Sequence, residues 1–137
     1  MDSAETIVQT ILTLSAHLTR ESDQILRERI GIGLSQYKIL LAVAHNERLQ
    51  QRSIALELGQ TEASVTRQIK LLIAQGMITV RTNPANRREH FSELTAKGVR
   101  VSEAGRQSLA QYYRDATSRL STRQQEIASQ LLTELQR

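Results

Sequence analysis

At 137 residues the chain is long enough for one domain with a modest core. It has no cysteine, which excludes disulfide frameworks, thiolate metal sites and thiol redox sensing; its four aromatic residues are too few for stacking on single-stranded bases to be a main mode. The net charge of +4 is concentrated: residues 48–100, from Arg48 to Arg100, hold nine basic side chains against four acidic ones, a local +5 that leaves the remainder at −1, as a polyanion footprint requires.

The opening MDSAETIVQ is acidic and lacks the basic-then-apolar layout of a signal peptide. No apolar run approaches the roughly 18 residues of a membrane span, so a cytoplasmic protein with no membrane partner is expected. Ile7, Ile11, Leu14, Leu18 and Ile25 mark an apolar stripe that predicts a helix over about 4–29. At 1.5 Å per residue it would be about 40 Å long, more than so small a domain can cover alone. GIG (31–33) breaks it. Tyr37, Ile39, Leu40, Leu41 and Val43 predict a largely buried second helix ending near His45-Asn46.

Ile54, Ala55 and Leu58 give a short third helix closed by Gly59, a natural left-handed cap. Thr61 caps the next helix, in which Val65, Ile69, Leu72 and Ile73 turn inward at i, i+4, i+7 and i+8. Glu62, Ser64, Thr66, Arg67 and Lys70 are then left outward, and Gly76 ends the helix. MITVRT (77–82) and HFSEL (90–94) alternate like strands around a basic turn, NPANRR (83–88). Thr95 caps a long helix running to about Leu120. Ser121 with Gln124 forms a capping box for a last helix lined by Ile127, Leu131, Leu132 and Leu135. Together these elements make a mainly α fold with a small β-hairpin.

Two short helices around a glycine turn, followed by a basic hairpin, are how a chain presents one helix to the DNA major groove and a loop to the minor groove. The positive N-terminal end of the 61–74 helix, with Thr61, Ala63, Ser64 and Thr66, suits phosphates and base edges. Arg67 and Lys70 suit backbone phosphate or guanine, and the planar fork of Arg67 favours it for base readout. Glu62 serves either a cytosine amino group or the helix N-terminus. Gln51 and Arg52 open the preceding helix as candidate phosphate contacts. No nucleophile–base arrangement, glycine-rich phosphate loop or metal spacing appears, so neither an enzyme nor a cofactor is expected. His17, His45 and His90 are nowhere at i, i+3 or i+4, which argues against a metal site.

The segment LELGQTEASVTRQIKLLIAQGMITVRTNPANRREHFSELTAKG (56–98), with GLSQYKIL (33–40) and QQRSIALELG (50–59), resembles the MarR-type winged helix-turn-helix regulators. The likeness extends over nearly the whole chain. It implies dimerisation helices over 1–34 and 99–137 around a DNA-binding region over 35–98. It also implies a homodimer on double-stranded DNA, regulating transcription, commonly as a repressor relieved by a small ligand. In the family pattern an Asp stands two residues before a wing Arg that enters the minor groove. Here Asn86 stands there, which makes Arg88, beside Arg87, the wing-tip residue by position. Asn86 can accept a hydrogen bond but brings no charge. That departure motivates an alternative, a winged-helix interaction module or heteromeric partner without operator reading. The effector is not readable; small aromatic ligands remain open, and Tyr37, Tyr112 and Tyr113 serve either packing or a pocket.

Overall fold

The computed structural model describes residues 2–45 and 50–137. The expected helix end at Asn46, and Arg48 in the basic segment, lie outside the described residues. The described elements are α1 (Ser3–Ile30), α2 (Leu34–His45), α3 (Gln51–Leu58), α4 (Glu62–Ala74), β1 (Ile78–Asn83), β2 (Asn86–Leu94), α5 (Ala96–Ala116) and α6 (Thr122–Leu135). The mainly α class with a two-stranded antiparallel hairpin therefore follows the sequence reading.

The core gathers around α2. Leu26 of α1, Tyr37, Ile39, Leu40 and Val43 of α2, Ile54 of α3, Val65, Ile69 and Leu72 of α4, Ile78 of β1 and Leu109 of α5 are all buried. Each such aliphatic side chain contributes about 1.5–3 kcal/mol by leaving water. Asp23 joins α1 to this core: one carboxylate oxygen accepts from the Leu34 N–H at 2.9 Å, the other from Arg27 Nε at 2.9 Å. Thus α2, which starts without a capping side chain of its own, takes its cap from the preceding helix.

Three expected boundaries or faces shift. The stripe of α4 that packs is Val65, Ile69 and Leu72; Ile73, expected inward, is 41% exposed, because it stands one further step round the helix, past the edge of the packed face. The hairpin turn shrinks to Pro84-Ala85, so β2 starts at Asn86 and not at His90. Asn83 Oδ1 accepts from the Ala85 N–H at 3.0 Å, and this local turn with a pre-bent proline closes the loop in two residues. Finally, α5 ends at Ala116, short of the expected Leu120. Thr117 Oγ1 donates to the Tyr113 carbonyl and Ser118 Oγ to that of Asp115, both at 2.8 Å, so hydroxyls add to the main-chain donors on the last carbonyls of the helix.

The expected caps form: Ser121 makes a capping box, Thr61 and Thr95 cap α4 and α5, and Gly59 closes α3 with φ 65°. Asp2 makes a further capping box at the start of α1. No helix among the described residues is long and apolar enough to cross a membrane.

Candidate nucleic-acid interface

The exit LTAKG (94–98) explains how the hairpin is fixed to α4. Thr95 Oγ1 donates to the Gly76 carbonyl and its N–H to that of Met77, while Lys97 Nζ donates to the Gln75 carbonyl at 2.8 Å. The lysine thus places its charge on the negative end of α4. A side chain at Gly98 would run into the Met77 carbonyl oxygen, so only glycine lets α5 start against the end of α4. These contacts tie the hairpin base to the last turn of α4.

Along α4, Ala63, Arg67 and Lys70 are exposed on the side opposite the packed stripe. Thr61 is the cap: its Oγ1 accepts from the Ser64 N–H at 3.1 Å, so it is engaged with the main chain. Glu62 is exposed in the first turn, where a carboxylate meets the positive helix end. Ser64 and Thr66, expected outward, are half-buried on opposite flanks. Thr66 Oγ1 donates to Gln51 Oε1 at 2.6 Å, which joins α4 to α3 and occupies Gln51, while Arg52 stays exposed. Ser64 Oγ donates to Gln60 Oε1 at 3.3 Å and accepts from Gln68 Nε2 at 3.0 Å. Gln60 and Gln68 were not singled out by the sequence reading; the signal was the spacing 60, 64, 68, a polar row at every fourth residue.

In the hairpin, the ladder steps from Thr82–His90 directly to Asn83–Asn86, so residues 87–89 bulge without a cross-strand partner. Arg87 and Arg88 therefore lie on an irregular stretch of β2, both exposed, and not in the turn itself. Asn86 Oδ1 accepts from the Arg88 N–H at 3.2 Å: it holds the main chain of Arg88, not its guanidinium. Arg81 is ion-paired with Glu93 across the hairpin. Among the described residues the other ion pairs are Asp23–Arg27, Glu103–Arg106 and Glu134–Arg137, so Arg52, Arg67, Lys70, Arg87 and Arg88 take part in none. No hydrogen bond or ion pair described joins the two wing arginines to α4; the link is the hairpin base.

The three tyrosines separate. Tyr37 is buried in the core, and burial pushes its hydroxyl above the ordinary phenol range. Tyr113 lines a cavity of about 500 Å³ with Ile11, Leu14, Leu18, Leu34 and Lys38. Tyr112 lines a more polar groove of about 410 Å³ with Glu28, Arg29 and Asp115. Among the described residues no cluster of three His, Asp or Glu side chains is arranged for a metal ion.

The model of the MarR family matches residues 30–89, the stretch from the end of α1 through the bulge of β2. Over that stretch the chain is similar to the MarR winged-helix family. A crystal structure of a MarR family transcription regulator matches with a TM-score of 0.88 at 19% identity, covering 98% of this chain and 89% of that one. A mutant of Escherichia coli MarR complexed with operator DNA matches at 0.74 and 20% identity, over 98% of this chain and 99% of that one. At such identities these structures bear on the fold. A Thauera aromatica protein named for transcriptional regulation of the hcr operon is 26% identical over 91 residues, 66% of this chain and 55% of that protein. The chain spans less than two thirds of the length of the curated relatives it matches. Those relatives and neighbours carry the names of transcription regulators and not of enzymes.

Proposed function

We propose that this MarR-type chain is a sequence-specific regulator of transcription that binds double-stranded DNA as a homodimer in the cytoplasm and acts as a repressor. The observation that carries the reading is the exposed set Arg67, Lys70, Arg87 and Arg88, outside every ion pair among the described residues, mounted on a recognition helix and on the hairpin latched to its end. Arg67 and Lys70, with Ala63, would face base edges in the major groove, and Arg88 the minor groove. Arg52 would meet backbone phosphate, and Thr61 and Glu62 would serve the helix start. Gln51, Ser64 and Thr66 reach DNA only through the hydroxyl or amide capacity left by their internal bonds. A two-fold pair would present two such helices about 34–36 Å apart and read a pseudo-palindrome.

A ligand response is supported by the cavity along α1, which the start of α2, Tyr113 of α5 and Leu132 of α6 help to line. Its apolar wall, one lysine and one tyrosine hydroxyl suit a small aromatic acid, and about 500 Å³ is a size that holds one. The test is a gel shift on the intergenic DNA beside the protein's own gene at moderate salt. The proposal expects retardation well above that of random DNA, relieved by a small aromatic acid. Equal retardation of both DNAs would favour an interaction module instead.

A further inference from the structure

Ser35, Gln60, Ser64 and Gln68 form one polar cluster between the first turn of α2 and the flank of α4. Gln60 Nε2 donates to Ser35 Oγ, and Gln60 Oε1 accepts both from Ser64 Oγ and, at 3.0 Å, from Gln68 Nε2. Gln68 Nε2 also donates to Ser64 Oγ at 3.0 Å, which uses both of its hydrogens. The amide of Gln68 is thereby oriented, and its Oε1 is left buried with no partner among the described residues. An unsatisfied buried acceptor lowers stability, so an apolar side chain of similar size would serve the fold at least as well.

Position gives the cluster a different use. The contacts of Val65, Ile69 and Leu72 hold α4 against the core, but aliphatic packing is non-directional and tolerates small rotations about the helix axis. Hydrogen bonds are directional, and α4 has them on both flanks: Thr66 to Gln51 of α3, and Ser64 and Gln68 to Gln60 and so to Ser35 of α2. Arg67 projects between these two stays. With side chains ending about 5–6 Å from the axis, a roll of about 10° moves a tip by about 1 Å, enough to spoil a bidentate bond to a base edge. Non-directional attraction to phosphates would survive such a roll.

We infer that Gln60 and Gln68 are positioning residues that fix the roll of the recognition helix through Ser64 and Ser35, and so set DNA sequence selectivity and not general affinity. This rests on the operator-binding reading above. The experiment uses the full chain, the duplex that the wild type enriches from a random-sequence pool, and a scrambled duplex of equal composition. Binding of both by Gln68→Met, Gln60→Met and Gln60→Glu is measured by fluorescence anisotropy, and melting is followed by circular dichroism. Gln68→Met and Gln60→Met are expected to bind scrambled DNA like wild type but to lose about tenfold on the selected duplex. Gln60→Glu keeps the acceptor for Ser64 and Gln68 and is expected to retain most of the discrimination. If Gln68→Met and Gln60→Met discriminate as wild type does, or weaken on both duplexes in parallel with a lower melting temperature, the positioning role is overturned. A wild type that itself fails to discriminate overturns the operator reading, and this inference with it.

Discussion

Arg81 and Arg88 belong to the same hairpin and differ in what their charges are free to do. Arg81 is held by Glu93, a diagonal cross-strand neighbour, so its charge is largely cancelled in place. Arg88 is exposed on the bulge, outside any ion pair among the described residues. Replacing Arg88 with Ala is expected to weaken duplex binding by about 1–3 kcal/mol, since a minor-groove arginine would be lost. Arg81→Ala should cost much less, because its guanidinium already has a partner. Anisotropy titrations of both variants at one moderate salt concentration check this; unchanged affinity on Arg88→Ala would remove that residue from the interface. Asn86 acts one step back. Its side chain accepts from the Arg88 N–H, so it steadies the backbone beneath the arginine and not the guanidinium.

Element positions were largely legible because caps and periodicity are local: Thr61, Thr95, Ser121 and Gly59 do what their types and spacings imply. What was not legible depends on contacts between elements. The outward roles of Arg67 and Lys70 follow from helical period alone, but the half-buried state of Ser64 and Thr66 depends on Gln60 and Gln51, which no periodicity within α4 reveals. Two junctions can be tested directly. At Gly98 an added methyl meets the Met77 carbonyl, main chain that cannot swing aside. Gly98→Ala is therefore expected to lower stability by about 1–3 kcal/mol despite alanine's better helix propensity, read as a lower denaturant midpoint. At the junction of α1 and α2, hydrogen bonding from Arg27, then from the Leu34 N–H, holds the Asp23 carboxyl below its ordinary range. The folded state binds this proton less readily than the unfolded chain. The carboxylate thus adds stability above its unfolded pKa, and that gain is lost as pH falls through the lower folded value. Asp23→Asn should melt below wild type at neutral pH, with the gap closing under acid; a gap independent of pH would mean that the charge is not what holds the junction.

The molecule as a whole has two regions of unequal completeness. The winged region has a closed core, whereas the first half of α1 and all of α6 leave apolar side chains in water: Leu12 is 59% and Leu131 62% exposed, and α6 has no buried residue. Ile7, Val8 and Leu14 of α1 join Ile127, Leu132 and Leu135 of α6 in this state. Apolar side chains exposed along two helices mark an interaction site, and both helices are well capped and so formed in advance of any partner. The proposed second copy would cover both faces at once across a two-fold axis and fix the spacing of the two recognition helices. Because no residue of α6 is buried in one chain, Leu131→Asp should leave the winged core intact and act on association alone. Light scattering at micromolar concentration is expected to give twice 15.5 kDa for the wild type and a shift toward 15.5 kDa for the variant. Far-UV circular dichroism should report the folded winged region in both. Separating the two copies also separates the two half-sites, so the variant should lose tight binding to a palindrome while keeping weak, salt-sensitive attraction to any duplex. A wild type that runs as a clean monomer would leave the apolar faces of α1 and α6 needing a different partner, and the paired recognition helices without a frame.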